Sequence, residues 1–215
     1  MTARERMLAN IRERQGKPRE RDAAELEAVR AYISAHPRSP GPRDAWEPLG
    51  LFRERAVSLA ASVDEAPDLT AVPARVAAYL RERDLPLSAV CWRELVELDW
   101  AASGIEVEAR GARGEDLVGI TGAFCAIAET GTLMTLSGLE TPPSVSLLPE
   151  THIAVLDARR VVRTMEDAWA LLRDEHGAPP RAVNFISGPS RTADIEQTLT
   201  LGAHGPYRVH IILIP

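Results

Sequence analysis

Short apolar runs alternate with segments of helical spacing from about residue 45 onward, and this alternation constrains the fold more than any other feature. A run of about four to eight apolar residues suits a buried strand, whereas apolar residues three and four positions apart suit a helix. Strands that alternate with helices are typical of α/β domains. The strand candidates are residues 87–92 (LSAVCW), 105–109 (IEVEA), runs within 116–138, 151–157 (THIAVLD), 181–187 (RAVNFIS) and 207–214 (YRVHIILI).

Helical spacing accounts for several segments between these runs. Residues 49–61 and 73–83 place apolar side chains three and four positions apart, and Pro73 stands where the first turn of a helix needs no amide. A third helix is predicted after Thr164, because Asp167 follows it by three positions, as at a helix start. The body of the chain is therefore predicted to be an α/β domain.

The N-terminal part of the chain has a different character. Helical spacing over residues 1–14 and 20–35 is interrupted by the sequence QGKP, and residues 36–48 are rich in proline and turn formers. We therefore predict an N-terminal helical arm with a Pro-rich linker over residues 1–45 and an α/β domain over residues 46–215.

Hydrophobicity and charge exclude two classes of partner. The chain has 215 residues and is 45% hydrophobic. No run reaches the roughly 18 to 20 apolar residues of a membrane helix, and the N-terminus lacks the apolar stretch of a secretory signal. We expect no membrane span and a cytoplasmic location. Residues 1–50 carry a net charge of +2 and the remainder −8, and so acidic a body is a poor match for nucleic-acid phosphates.

The reactive side chains exclude several cofactors. Lys17 is the only lysine, which argues against Schiff-base chemistry, pyridoxal phosphate and a P-loop. Cys91 and Cys125 are too few for a thiolate zinc site or an iron–sulfur cluster, and we expect both to be buried. The HExxH spacing of a metal helix and the GxGxxG fingerprint of a dinucleotide site are both absent. No metal and no cofactor is predicted.

The sequence GPSRTADIE at residues 188–196 carries the first chemical signal. It follows the apolar run 181–187, which is short enough for a central strand, and Gly188 must end that run. Helical spacing follows. Ligands of open α/β sheets bind at the carboxyl ends of strands, where unpaired amides and the helix dipole favour negative charge.

The side chains at this position suit an anion. Ser190, Arg191 and Thr192 fall in the last loop residues or the first helical turn, where two hydroxyls and a guanidinium would donate charge-assisted bonds. His204, in the sequence LGAHGP just past the predicted helix, is the histidine that could approach the same loop. The alternative is that Ser190 or Thr192 only caps the helix and Arg191 faces solvent.

The sequence AIAETGTLM at residues 126–134 carries the second signal. Glu129 stands between an apolar run and the turn-like Thr130, Gly131 and Thr132. A carboxylate in such a place can serve as a base, a nucleophile or a hydrogen-bond acceptor. The alternative is a structural glutamate tied to backbone amides of a tight hairpin.

Three stretches resemble a known family. They are TGAFCAIAETGTLMTLSG (residues 121–138), LLPETHIAVLD (147–157) and GPSRTADIEQTLTLGAHGP (188–206). On these residues the sequence resembles the lactate-utilisation protein C family, whose common module is the LUD domain. The resemblance covers much of the second half of the chain and is weaker over the first 90 residues.

The resemblance implies both a fold and a role. The implied fold is a mostly parallel sheet flanked by helices, similar to the sugar-phosphate isomerase and CoA-transferase superfamily. The implied role is oxidation of L-lactate to pyruvate beside two partner proteins that bear the iron–sulfur motifs. CoA transferases of that superfamily use a glutamate nucleophile, which makes Glu129 a catalytic candidate, although a shared fold does not transmit chemistry.

Three hypotheses follow for the function. The leading one is an accessory subunit of a lactate-oxidising system, in which Glu129 and the loop from Gly188 to Thr192 form one pocket for a small anionic metabolite. The alternative is a stand-alone enzyme on a phosphorylated or CoA-linked metabolite, with Glu129 as base or nucleophile and Arg191 as anion clamp. A third is that these motifs only build an interaction surface.

Overall fold

A computed structural model provides the structure of the chain, which divides into two units, Met1–Arg43 and Asp44–Pro215. The described residues are 2–17, 22–38, 46–192, 200–202 and 204–215. The helices among them are α1 (Ala3–Arg14), α2 (Ala23–Ala35), α3 (Pro48–Ser58), α4 (Val72–Glu82), α5 (Ser144–Leu147) and α6 (Met165–His176). The strands among them are β1 (Ser62–Glu65), β2 (Ser88–Cys91), β3 (Glu106–Ala109), β4 (Val118–Gly122), β5 (Cys125–Ile127), β6 (Thr132–Leu136), β7 (Thr151–Asp157), β8 (Val161–Val162), β9 (Val183–Ile186), β10 (Arg191–Thr192), β11 (Thr200–Leu201) and β12 (Arg208–Ile214).

The N-terminal unit contains α1 and α2, both where helical spacing predicts them. Thr2 and Glu5 satisfy the start of α1 by reciprocal side-chain to backbone bonds, and Asp22 caps α2. Neither helix buries a side chain. Their exposed large apolar residues are Met7, Leu8, Ile11, Leu26, Val29, Tyr32 and Ile33.

The second unit is built on a six-stranded sheet in the order β1-β12-β7-β4-β2-β3, in which every neighbouring pair is parallel. The longest pairing joins β12 to β7, from Arg208 opposite Thr151 to Ile214 opposite Asp157. Every residue of β4 is buried, as expected for an inner strand that is covered on both faces. The predicted α/β fold with a mostly parallel sheet is confirmed.

Helices cover the two faces of this sheet, and β7 shows how the sequence places them. Ile153 and Val155 share one apolar cluster with residues of α4, whereas Ala154 and Leu156 share another with Phe52 of α3. Successive side chains of a strand point to opposite faces, so an uninterrupted apolar run supplies both clusters.

A second sheet stands beside the first, with four strands in the order β8-β5-β6-β9. Strands β5 and β6 form an antiparallel hairpin, β8 pairs with β5 in parallel, and β9 pairs with β6 in antiparallel. Cys125, Ile127 and Met134 pack on Ala168 and Leu172 of α6. Alternate residues of the same hairpin belong to the cluster that contains α3.

One predicted strand lies in a different sheet from the one expected. The run 181–187 does contain a strand, β9, but that strand is the edge of the four-stranded mixed sheet and not a central strand of the parallel sheet. Its residues explain the difference, because Phe185 is exposed and only Ile186 is buried. The interior place next to β7 is taken by β12, whose middle residues are buried on both sides.

The turn after β9 also differs from the prediction. Arg191 and Thr192 are not in a first helical turn; they form β10, which pairs antiparallel with β11 through Arg191 opposite Leu201 and Thr192 opposite Thr200. The predicted helix lies mostly within residues 193–199, which are outside the described residues. Most of the predicted linker 36–48 is likewise outside them.

Among the described helices, none has the length and apolar content that crossing a bilayer requires.

Candidate functional site

The carboxylate of Glu129 lies at the start of α6. Its Oε1 accepts a hydrogen bond of 2.8 Å from the amide of Met165, the first residue of that helix, and its own amide donates to the carbonyl of Arg163 at 3.1 Å. Thr164 and Asp167 form the predicted capping box at the same terminus. A carboxylate at a helix N-terminus interacts favourably with the helix dipole. Glu129 therefore connects the β5–β6 turn to α6.

Two glycines of the predicted motifs pack closely against α3. Gly131 has a φ of 64°, and a Cβ added there would lie 2.6 Å from the amide nitrogen of Ala56. Gly188 has a φ of 74°, and its Cβ would overlap the carbonyl oxygen of Leu59. Both positions need the left-handed backbone and the missing side chain of glycine. Both motifs are therefore anchored on α3 and the residue that follows it.

Side-chain bonds join the same two motifs to each other. The hydroxyls of Thr132 and Ser187 are 2.7 Å apart. The guanidinium Nη2 of Arg191 donates to the carbonyl of Leu59 at 3.0 Å, while the side chain as a whole is exposed. This bond holds one terminal nitrogen of the guanidinium group against the end of α3 and leaves the other N–H donors for solvent or a ligand.

The remaining predicted residues are more scattered. The amide of Ser190 donates to Pro206, and its carbonyl accepts from the amide of Gly202, both at 2.9 Å. Thr130 and His204 are exposed, and among the described residues none hydrogen-bonds to the His204 ring. The structure thus brings together Gly131, Thr132, Gly188 and Arg191, whereas the Glu129 carboxylate turns to α6.

A cleft lies elsewhere, at the carboxyl ends of β2 and β4. These strands are neighbours in the parallel sheet, but the chain leaves β2 toward β3 on one side and leaves β4 toward the small sheet and β7 on the other. Loops that diverge from adjacent parallel strands open a crevice between them, and ligands of open α/β sheets bind at such points. The fold therefore creates a natural binding position here.

The cleft has a volume of about 460 Å³. Two loops supply its walls: Trp92 and Glu94 follow β2, and Ala123 and Phe124 follow β4. The ends of β6 and α6 complete it with Leu136, Ser137, Gly138, Thr141, His176, Ala178 and Pro180. Strand β6 runs from the motif residues that pack on α3 to this cleft. Its first residue, Thr132, follows Gly131, and its last residue, Leu136, lines the cleft.

Glu94 is the acidic residue of this cleft. Its carboxyl lies directly over Gly122, the last residue of β4, where an added Cβ would overlap Oε1. Although the residue is exposed as a whole, desolvation of its carboxyl end raises its pKa. Within the described residues no group forms a hydrogen bond or an ion pair with this carboxylate. A partly desolvated carboxylate in a cleft is a candidate functional group.

Phe124 forms part of the opposite wall and is held by charged groups behind it. The guanidinium of Arg160 lies 4.7 Å from the ring centroid, and its Nε donates to the Phe124 carbonyl. Glu175 binds the same guanidinium through two bonds of 3.0 and 2.9 Å. The ring of His176 is tilted against Phe124 at 5.5 Å between centroids. The positive charge of Arg160 is therefore compensated at this wall.

Sequence patterns predict the positions of only some residues that line this cleft. Trp92 ends the run 87–92 that periodicity predicts as a strand and Glu94 follows it, so their place at a carboxyl end could have been recognised. The neighbour relation of β2 and β4 could not, because β3 lies between them in the sequence. The order of strands in a sheet depends on long-range pairing, which local patterns do not encode.

The cysteines behave as the sequence predicts. Both are buried, and burial raises the pKa of Cys91 to about 11 and that of Cys125 to about 12. Thiols with such values stay protonated and unreactive near neutral pH. In the part of the chain that the structure describes, no group of three or more His, Cys, Asp or Glu residues is placed to hold a metal ion.

Comparison with protein families gives a match to the family described as "LUD domain" over residues 59–214. This segment contains all six strands of the parallel sheet, the four-stranded sheet and the cleft.

Individual relatives match over shorter segments. The chain is 36% identical to "Lactate utilization protein C" of Bacillus subtilis over 134 residues, which cover 57% of this chain and 56% of the relative. It is 36% identical to the protein of the same name from Anoxybacillus flavithermus over 97 residues, which cover 45% of this chain and 43% of the relative. The chain thus spans about half the length of these relatives.

A solved structure matches the fold. A DUF162 family protein from Deinococcus radiodurans superposes with a TM-score of 0.59 at 21% identity, covering 81% of this chain and all of the other. At this identity the likeness establishes the fold alone.

Proposed function

The chain belongs to the LUD domain family, and on that premise we propose that it is an accessory subunit of a cytoplasmic system that oxidises lactate to pyruvate. In this proposal iron–sulfur partner proteins carry the electrons, and this chain binds a small anionic metabolite. The observation that carries the proposal is the 36% identity to relatives named lactate utilization protein C.

The proposed anion site is the surface around the end of α3. Arg191 is exposed and anchored there by its bond to Leu59, so part of its guanidinium fork is held in place for a carboxylate or phosphate. Ser187, whose hydroxyl pairs with that of the buried Thr132, belongs to the same loop, and Ser190 and Thr192 flank Arg191 in the chain. An arginine that is already immobilised loses less side-chain entropy when it binds a ligand.

The test of the subunit role is reconstitution. Partner proteins that carry the iron–sulfur motifs are purified with and without this chain, and reduction of an electron acceptor by L-lactate is followed. We expect the rate to fall several-fold when the chain is omitted. Lactate oxidation at full rate without it would reject the subunit role.

The test of the anion site uses thermal midpoints of the purified chain against lactate, pyruvate and inorganic phosphate, since a ligand that binds only the folded state raises the midpoint. Arg191→Ala should weaken binding of the active anion roughly 10-fold, because a charge-assisted bond is lost. Arg181→Ala, at another exposed position, is the matched control. Equal midpoint shifts in both variants would reject Arg191 as the anion ligand.

A further inference from the structure

The cleft between β2 and β4 has a chemistry that differs from that of the surface at Arg191. Its titratable lining groups are Glu94 and His176, and Arg160 behind Phe124 is already bound by Glu175. A carboxylate or phosphate entering here would meet the Glu94 carboxylate without a compensating fixed cation. The cleft is therefore poorly suited to the small anion of the proposed function.

The same lining suits a flat ring that donates N–H bonds. Phe124 supplies half-buried aromatic surface, against which planar ligands stack favourably, and the nearly buried Trp92 contributes a smaller part of the lining. The two oxygens of a carboxylate accept a pair of parallel N–H bonds when the donors lie side by side. Ser137 accepts a 2.8 Å bond from the amide of Ala182, so its own O–H can donate to a ring nitrogen.

We propose that this cleft is a second ligand site, which takes a nucleobase-like heterocycle whose edge carries two adjacent N–H donors directed at Glu94. The ring lies between the loops that follow β2 and β4, beside Trp92 and Phe124. The site is separate from the anion surface. The cleft lies at Leu136, the last residue of β6, whereas the anion surface lies at the opposite end of the β6–β9 pair, where Leu133 is opposite Ile186.

The missing side chain of Gly122 leaves room for the carboxylate of Glu94. The carboxyl lies where the side chain of any other residue at 122 would begin. Because the atom in the way is the end of a flexible side chain, Gly122→Ala moves the Glu94 carboxylate while leaving the chemical group present. Gly122→Ala therefore changes the position of this carboxylate, whereas Glu94→Gln removes its charge.

The experiment measures guanosine binding to the full-length protein by calorimetry and by saturation-transfer NMR. Guanosine carries no phosphate and presents its N1–H and amino group side by side, whereas 1-methylguanosine lacks the N1–H. We expect saturable guanosine binding and roughly 10-fold weaker binding of 1-methylguanosine, as for loss of a hydrogen bond to a charged group. Glu94→Gln and Gly122→Ala should each weaken guanosine binding by a similar factor.

Two controls separate this site from its surroundings. Glu97→Gln removes an exposed carboxylate from the same short segment, outside the cleft lining, and should leave guanosine binding unchanged. Arg191→Ala should also leave it unchanged, so failure here and failure of the anion site are distinguishable. Absence of saturable guanosine binding to the unmodified protein, or equal affinity of the Glu94→Gln variant, would overturn the proposal.

Discussion

At the scale of single residues, glycines decide how closely the segments of this fold approach one another. Gly188 stands against the carbonyl of Leu59, Gly131 against the backbone of Ala56, and Gly122 beneath the carboxyl of Glu94. A sequence shows that a glycine follows a strand, but it does not show which backbone lies against it. The contact partner comes from tertiary packing.

Gly188→Ala is expected to lower the free energy of unfolding by about 2–4 kcal/mol, because it combines an unfavourable positive φ with overlap against a backbone atom. Gly177→Ala is the matched control: Gly177 has a φ of 73° and open space where a Cβ would be. Its ψ of −50° lies outside the left-handed helical region, and the backbone term alone should be about 1–3 kcal/mol. Urea unfolding of both variants gives the comparison, and equal losses would contradict the close approach at Leu59.

At the scale of elements, the periodicity of the sequence predicts strands best where both faces are apolar. The prediction of 151–157 coincides with β7 because its run is continuous. Strand β1 (Ser62–Glu65, sequence SVDE) was not predicted, because half of its residues are acidic and none is buried. Strand β9 was predicted as a strand but assigned to the wrong sheet, since four residues do not specify a partner.

For the candidate site residues too, the sequence predicts the local position but not the contact partner. The sequence shows that Glu129 lies in a turn after an apolar run, which is correct, and two interpretations were open for its side chain. Its acceptor role toward Met165 depends on α6, which begins 36 residues later. No local pattern could have related the two. The clustering of Thr132, Ser187 and Arg191 around α3 likewise depends on tertiary contacts.

Glu129→Ala should destabilise the fold by about 0.5–2 kcal/mol, as expected for loss of an acceptor at a helix N-terminus. Glu129→Gln keeps a neutral acceptor and should cost less. Chemical denaturation measures both. If Glu129 is instead a base or nucleophile, Glu129→Gln abolishes any turnover of a phosphorylated or CoA-linked substrate. Unchanged stability of Glu129→Ala would contradict the capping role.

At the scale of the whole molecule, two buried histidines in the parallel sheet connect stability to pH. His152 in β7 is 2.8 Å from the Thr121 hydroxyl, and His210 in β12 is 2.8 Å from the hydroxyl of Ser62. Desolvation lowers the pKa of each from 6.5 to about 4. Between these values the unfolded chain binds protons that the folded chain does not, so stability decreases as pH falls through this interval.

The free energy of unfolding should therefore fall between pH 6.5 and pH 4, with each histidine contributing on the order of 3 kcal/mol at the lower end. Urea unfolding across this range measures the slope. His152→Gln should flatten the curve relative to the unmodified protein, because one of the two linked groups is removed while the carboxylates are unchanged. Parallel curves for the two proteins would show that His152 accepts a proton in the folded state as readily as in the unfolded one.

The position of β12 also governs the order in which the chain can fold during synthesis. This strand, Arg208–Ile214, lies between β1 and β7. Residues 62–65 therefore have no neighbour in the sheet until residues 208–214 have left the ribosome. Until then one edge of β7 presents unpaired amides and carbonyls, which favour pairing with other chains. The nascent protein therefore exposes this edge of β7 until β12 pairs with it.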